Sequence, residues 1–252
     1  MAHDPFEVIA DYYDLELGDY QEDMPLYDNL ARRTEMPVLE LGVGTGRVAI
    51  PLAKSGRSVV GLDSSKAMLA LARSKAGRRL QGRLHLVLSE MTEFCFDMSF
   101  GLIFCALGGF LHLSSQQGQL DTLERARKHL APDGLLAIDL PNPEAIEWEP
   151  GVQGLILEWT RERRDGTMIS KFVSTEADRA RQVQRVTHIY EEWQSAGSRR
   201  RLAAFELRYV HRYEMELLLT QAGLKLESVH GSYDLEPYES GSSRMIFVAS
   251  RV

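Results

Sequence analysis

The stretch from Val38 to Lys54 limits the possible folds more than any other part of the chain. A short apolar run, Val38-Leu39-Glu40-Leu41, breaks into three alternating glycines, Gly42, Gly44 and Gly46, and then into a helical segment that continues to Lys54. A strand ending in glycine can turn sharply, and glycines without Cβ let a ligand approach the backbone. The helix that follows turns unpaired N–H groups toward that ligand. Together these are the parts of a nucleotide-cofactor loop. The spacing also says which nucleotide. A dinucleotide loop needs Gly-x-Gly-x-x-Gly, and counting from Gly42 its third glycine would fall on Arg47. Here the third glycine comes one residue early, which argues against a nicotinamide oxidoreductase.

The residues up to 140 alternate apolar runs with helical patterns. Ser58 to Asp63 is a second run ending in a carboxylate, Leu84 to Met91 a third, Phe100 to Leu113 a fourth strand with its loop, and Leu135 to Leu140 a fifth after a turn at Leu130 to Gly134. Lys66 to Lys75, capped by Ser64-Ser65, and Gln116 to Leu130 carry helical spacing between them. Such alternation predicts a parallel sheet covered on both faces. Right-handed crossovers make it doubly wound, with the ligand crevice at the carboxyl ends of the strands.

Glu40-x-Gly42-x-Gly44-x-Gly46 resembles motif I of the class I S-adenosylmethionine-dependent methyltransferases, and the resemblance continues over most of the chain. It implies a seven-stranded, mostly parallel sheet completed by a helix near Tyr213 to Ala222 and by strands at Leu224 to Tyr233 and Arg244 to Arg251. It also implies S-adenosylmethionine as cofactor. Glu40, Gly42, Gly44 and Gly46 would fold against its methionyl part, and Asp63 would accept bonds from the ribose hydroxyls. Ser64 and Met68 would lie near the adenine. Glu90 and Met91 resemble the acid-Met step that reads the adenine edge, although the family more often has Asp at that acid. Cys105 and Leu107, at the end of the fourth strand, fall beside the cofactor and the acceptor. Members acting on small molecules also carry a Tyr-Asp step near the N-terminus that folds over the cofactor, and Tyr13-Asp14 matches it.

On this reading residues 1–35 form a helical cap, 36–140 the cofactor-binding core, 141–212 an inserted element and 213–252 the end of the core sheet. The pattern in the insertion changes to period two. Gly154 to Thr160 and Met168 to Val173 flank a turn at Arg164-Asp165-Gly166, and Gln182 to Trp193 and Ala203 to Val210 read as two more strands. An antiparallel sheet here resembles the lid of glycine-type and amino-sugar N-methyltransferases. Its other role would be dimerisation, and both can hold at once.

Composition narrows the partners. A net charge of −7 disfavours a nucleic-acid substrate, because such affinity rests on phosphate neutralisation. Residues 151–212 nevertheless carry twelve Lys and Arg against eight Asp and Glu, which fits either the solvated face of an arginine-rich sheet or a steering patch for an anion. No apolar run approaches the ~20 residues needed to span a bilayer, and acids rather than a basic leader begin the chain, so a cytoplasmic location is expected. Cys95 and Cys105 are read as small buried packing residues rather than a disulfide or metal pair.

Methyl transfer from a sulfonium needs an acceptor lone pair held in line and water kept out, and it needs no metal. His112, just past the fourth strand, is the candidate general base, or alternatively a structural histidine capping the next helix. Tyr13 is the candidate to orient the acceptor or to face its methyl group. Tyr12, Leu107, Tyr209 and Arg212, with Arg208 and Tyr213 beside them, are candidate acceptor contacts by position. The expected reaction is methylation of N or O on a small polar metabolite. The alternative is a non-catalytic module that binds S-adenosylmethionine without turning it over.

Overall fold

Every apolar run of the core becomes a strand, and the helical patterns between them become helices. The computed structural model describes residues 5–145, 154–194 and 197–252. The cap contributes α1 (Phe6–Leu17) and α2 (Met24–Ala31). The core contributes β1 (Val38–Leu41), α3 (Ala49–Lys54), β2 (Val59–Asp63), α4 (Lys66–Ala76), β3 (Leu84–Leu88), β4 (Phe100–Cys105), α5 (Gln116–His129) and β5 (Leu130–Pro141). Four inserted strands follow, β6 (Ile156–Glu162), β7 (Met168–Asp178), β8 (Val183–Gln194) and β9 (Gly197–Arg208), and then α6 (Arg212–Gln221), β10 (Leu224–His230) and β11 (Arg244–Arg251).

The main sheet has the order β10-β11-β5-β4-β1-β2-β3. The pairs from β5 to β3 are parallel, and β11 pairs antiparallel with both β5 and β10. β1 and β4 are buried along their whole length, which is why their sequences are continuously apolar rather than alternating. The strand order reverses between β1 and β4, so the crevice at their carboxyl ends is where a doubly wound sheet takes its ligand. Two local expectations shift. Pro132-Asp133-Gly134 lies inside β5 as a bulge between the pairs Phe100–Leu130 and Leu102–Leu135, rather than in a turn ahead of it. Cys105 is buried as expected, but Cys95 is exposed, because the segment after β3 runs over the surface.

The inserted strands form a second, wholly antiparallel sheet of order β6-β7-β8-β9. α1 lies between that sheet and the core, and this explains its burial pattern. Val8, Ile9, Ala10 and Tyr12 are all buried, more of the circumference than a one-sided amphipathic helix would hide. Toward the inserted sheet, Tyr12 stacks on Tyr190 at 3.9 Å and donates to Glu192 at 2.9 Å. Asp11 pairs with Arg201, and Glu16 with Lys171 at 2.6 Å. On the core side, Thr45 Oγ1 and Lys75 Nζ both donate to Asp14, at 2.6 and 2.7 Å, and Lys75 also donates to Thr45 at 2.8 Å.

Arg47, the residue that breaks the dinucleotide spacing, anchors the glycine loop to the cap. Its guanidinium makes two 2.6 Å bonds to Asp23, and both side chains are buried. Removing one partner of a buried pair leaves the other charged and unpaired, at a cost of about 3–5 kcal/mol. Asp23→Ala should therefore lower the melting temperature by roughly 10 °C in a chain of this size, whereas exposed Lys54→Ala leaves it within about a degree. Thermal unfolding followed by circular dichroism reads the difference, and equal shifts would refute the anchor.

Candidate active site

The carboxyl ends of β1, β2 and β4 open into a cavity of about 510 Å³. Its floor is Gly42, Gly44, Asp63, Ser64 and Met68, with Ser89, Glu90 and Met91 beside them. The segment after β4 makes one wall through Ala106, Leu107, Gly109, His112, Leu113 and Ser114. α1 and its lead-in supply Pro5, Phe6, Tyr13 and Leu17, and β9 supplies Phe205 and Glu206. Gly42, Gly44 and Gly46 all have positive φ (+71°, +52° and +79°), so the loop takes a backbone path that side chains oppose.

Asp63 ends β2 in the position its sequence suggests, and the backbone aims it. Its Oδ2 accepts the Gly44 N–H at 2.8 Å and its Oδ1 accepts the Ser65 N–H at 2.8 Å. Two backbone donors thus fix the carboxylate on the cavity floor. Ser65 caps α4, its Oγ accepting from the Met68 N–H, and this places Met68 on the cavity floor. Glu40 is buried under the loop and does not line the cavity, yet its Oε2 has no hydrogen-bond partner. Burial drives its pKa well above the usual carboxyl range, against the pull of the Arg47 charge. A buried acid with an unused oxygen beneath the glycine loop suits the polar, cationic methionyl part of S-adenosylmethionine.

Tyr13 lies across the loop. A Cβ on Gly44 would meet the Tyr13 hydroxyl and Cζ at 4.0 Å. Burial first, with Glu40 and Asp14 adding and Arg47 opposing, pushes its pKa up to about 12. The hydroxyl therefore stays protonated and can donate. Leu107 holds a left-handed conformation, φ +47°, unusual for a side chain of its size. Asp139 holds it there by accepting the Leu107 N–H at 3.0 Å, while Tyr233 and Arg244 donate to the same carboxylate at 3.0 and 2.8 Å.

His112 ends the short 3-10 turn Gly109–His112 and faces the cavity interior. Its ring meets Phe6 edge-on at 5.0 Å and Phe205 at 5.3 Å. The imidazole is open to the cavity space but walled by protein, so an imidazolium there is poorly solvated and the pKa falls to about 4. His188 on β8, edge-on to Phe205 at 5.0 Å, is lowered to about 3 by burial and by the charges of Lys171 and His112. Both rings are neutral at physiological pH.

Several expected residues lie elsewhere. Tyr12 faces away from the cavity because it is the anchor of α1 on the inserted sheet. Gly46 is a packing glycine: a Cβ there would come within 2.9 Å of Ile50 Cδ1. Cys105 is buried in the core, and its thiol pKa is raised by burial. Tyr209 is buried at the end of β9, where its N–H and C=O both bond Gln182. Arg212 pairs with Glu216 at 2.9 Å and stacks over Tyr213 and Tyr238, and Arg208 is held by Gln119 and Glu214. The cavity residues that sequence reasoning missed include Phe6, Leu17, Leu113 and Phe205. The period-two pattern places Phe205 on one face of a strand, but nothing in it says which face meets the core. Among the described residues no group of three or more His, Cys, Asp or Glu is placed to hold a metal ion.

Residues 38–134 match the methyltransferase domain family. Over 217 residues the chain is 29% identical to the cypemycin N-terminal methyltransferase of a Streptomyces species, covering 85% of this chain and 82% of that protein. The structure of the CcbJ methyltransferase from Streptomyces caelestis superposes with a TM-score of 0.80 at 29% identity, over 92% of this chain and 94% of that one. The S-adenosylmethionine-bound amino pentose methyltransferase CalS10 from Micromonospora echinaspora has the same fold, with a TM-score of 0.72 at 23% identity over 96% and 97% of the two chains. With the sheet order and the glycine loop, these matches place a methyltransferase domain at residues 38–134 and make the whole chain similar to methyltransferases in sequence and fold. The glycopeptide N-methyltransferase MtfA, whose structure holds S-adenosylmethionine, shares this fold with a TM-score of 0.59 at 20% identity.

Losing hydrogen bonds to a charged acceptor costs roughly 2–4 kcal/mol, so Asp63→Ala should weaken S-adenosylmethionine binding on the order of thirty- to a thousandfold with the fold intact. Gly44→Val should abolish binding by putting a side chain at φ +52° into the ligand's space. Calorimetric titration with S-adenosylmethionine checks both, and an unchanged dissociation constant in either variant would contradict the assigned floor.

Proposed function

We propose that this enzyme transfers a methyl group from S-adenosylmethionine to a nitrogen of a small polar molecule, in the cytoplasm. The observation that carries this reading is a single cavity that joins Asp63 and the glycine loop at one end to His112 and Phe205 at the other. When bound, S-adenosylmethionine supplies an electrophilic methyl group on a positively charged sulfur, which an acceptor lone pair takes in line. Gly42, Gly44 and Asp63 would hold it, and Tyr13 would cover it. Neutral His112 adds no positive charge near the sulfonium, and its one unprotonated ring nitrogen can accept a proton from the acceptor. Phe6, Leu17 and Phe205 keep the reacting end free of bulk water. The exposed, unpaired thiol of Cys95 suits a reducing compartment. For an oligomer, the edge strand β6 with exposed Ile156 and Leu157 is the surface we assign to a homodimer.

His112→Asn should lower turnover by up to ~10²- to 10⁴-fold with S-adenosylmethionine affinity retained, if the imidazole takes the acceptor proton. With its pKa near 4, His112 puts no break in the pH–rate profile near 6.5; a 6.5 inflection that disappears in His112→Asn would contradict the assigned environment. The linkage to stability has a definite sign. The unfolded chain binds the His112 proton at the ordinary 6.5 and the folded chain only near 4, so acidification from 6.5 to 4 destabilises the fold, and His112→Asn flattens that slope. α1 and the inserted sheet should both gain hydrogen-exchange protection when cofactor and acceptor bind; protection confined to the glycine loop would assign the insertion a purely structural role.

A further inference from the structure

Outside the active cavity, charge is most unevenly spread between Asp63 and Glu90. Residues 64–89 carry six Lys and Arg and no Asp or Glu, in a chain whose net charge is −7. Lys66 stands at the start of α4, and Lys75 is held by Asp14. The other four, Arg73, Arg78, Arg79 and Arg83, are exposed and have no carboxylate partner among the described residues. The basic residues of the inserted sheet differ. Lys171 lies between Glu16 and Glu158, Arg201 pairs with Asp11, Arg163 with Glu192, and Arg185 with Glu176 and Glu206. There the basic excess fastens the sheet; around β3 the guanidinium groups face solvent.

The same segment frames a groove of about 640 Å³. Ala76, Leu80, Leu84 and Leu86 line it with apolar surface, and Arg73 and Arg78 line it with charge. β3 runs along the groove and is an open edge of the main sheet. At the two ends of its pairing with β2, the Val59 N–H donates to the Arg83 carbonyl at 2.7 Å and the Ser89 N–H to the Asp63 carbonyl at 3.1 Å. Alternate residues of a strand bond to opposite sides, so Arg83, His85, Val87 and Ser89 face β2, while Leu84, Leu86 and Leu88 turn their N–H and C=O groups outward. Arg73 reaches the Leu86 carbonyl from that side at 3.4 Å, a long contact that a backbone donor would displace.

A row of outward backbone groups beside an apolar groove is a template for an added strand. The charges decide which strand. Like charges keep the β3 edges of two copies apart, and a neutral segment leaves the guanidinium groups unmet, whereas carboxylates meet them. A nucleic-acid duplex fits poorly: phosphates have no use for outward carbonyls, and the rest of the chain, at −13 once these six charges are set aside from the −7, repels a long polyanion. We propose that the groove beside β3 docks an extended, acidic segment of a partner protein, which joins the main sheet as an additional strand paired through Leu84, Leu86 and Leu88. β3 leads into Ser89 and Glu90 of the active cavity, so the docked segment lies alongside the strand that ends there.

The test uses the full chain and fluorescence anisotropy with a fluorescein-labelled peptide of about ten residues alternating glutamate and valine. The peptide should bind in the micromolar range at about 50 mM salt and ~10-fold more weakly at about 200 mM. The double variant Arg78→Glu with Arg83→Glu should weaken binding at least ~10-fold while S-adenosylmethionine affinity and melting temperature hold. Methylation of one of the two alternating sets of peptide amides should weaken binding as much, and methylation of the other set far less, because only one set faces β3. Exchange of glutamate for lysine should abolish binding. No binding at about 500 µM peptide, an unchanged affinity in the double variant, equal affinity of the two methylated peptides, or tighter binding of a DNA duplex of about 20 base pairs or of phosphatidylserine vesicles would each overturn the proposal.

Discussion

Asp14 is the contact on which the closed site depends. One carboxylate on the cap helix accepts from Thr45 of the glycine loop and from Lys75 of α4, and so ties a segment outside the parallel core to the loop that meets the cofactor. The neighbouring residues of α1 face the other way. Asp11, Tyr12 and Glu16 fasten the inserted sheet, with Arg161 adding bonds to the carbonyls of Leu15 and Glu16. α1 is thus a shared wall: together with the contacts of Arg208 to Gln119 and Glu214 it holds the sheet against the core, where Phe205 meets His112. Exposed ion pairs contribute little singly. Here Lys171 is buried, Asp14 has two donors, and a stacked pair of tyrosines excludes water beside them, so the contacts reinforce one another.

How much of this the sequence revealed depends on how local each feature is. Strands β1 to β5 and β11 are legible because a short apolar run between turn residues has few other folds. The glycine loop and Asp63 are legible because their chemistry is fixed within about twenty residues of chain. The step with Asp14 places Tyr13 at the cofactor, and chain position places Tyr12 beside it as an acceptor contact, but only Tyr13 lines the cavity. They are adjacent on a helix and so point about 100° apart, and which of them meets the ligand depends on α1 being enclosed on two sides. Phe205 was missed for a related reason, since strand alternation gives two faces without naming the buried one. Arg212 and Tyr209 lie at the right place in the chain but face α6 and Gln182. Position along the chain is a weak guide where one sheet hands over to another.

The arginine content of the insertion shows composition misleading in a specific way. Twelve basic residues in sixty-two suggested the solvated face of an arginine-rich sheet first and a surface that attracts anions second. In the fold many of them meet a carboxylate from α1 or from the next strand, so a local excess of charge becomes a set of cross-links. Bulk charge describes the far field of a protein. It does not describe a cavity, whose field is set by the few groups that face it.

Leu107 carries a last consequence. Its left-handed backbone is held by Asp139, and Asp139 is held in turn by Tyr233 and by Arg244 on β11, next to the sheet's antiparallel edge. The contour of the acceptor wall is therefore set partly by the final strand of the chain, which reaches the cavity only through one buried carboxylate. Because Arg244 and Asp139 form a buried pair and most of the rest of β11 is core, a change in the final strand would disturb the acceptor wall and the stability of the fold together.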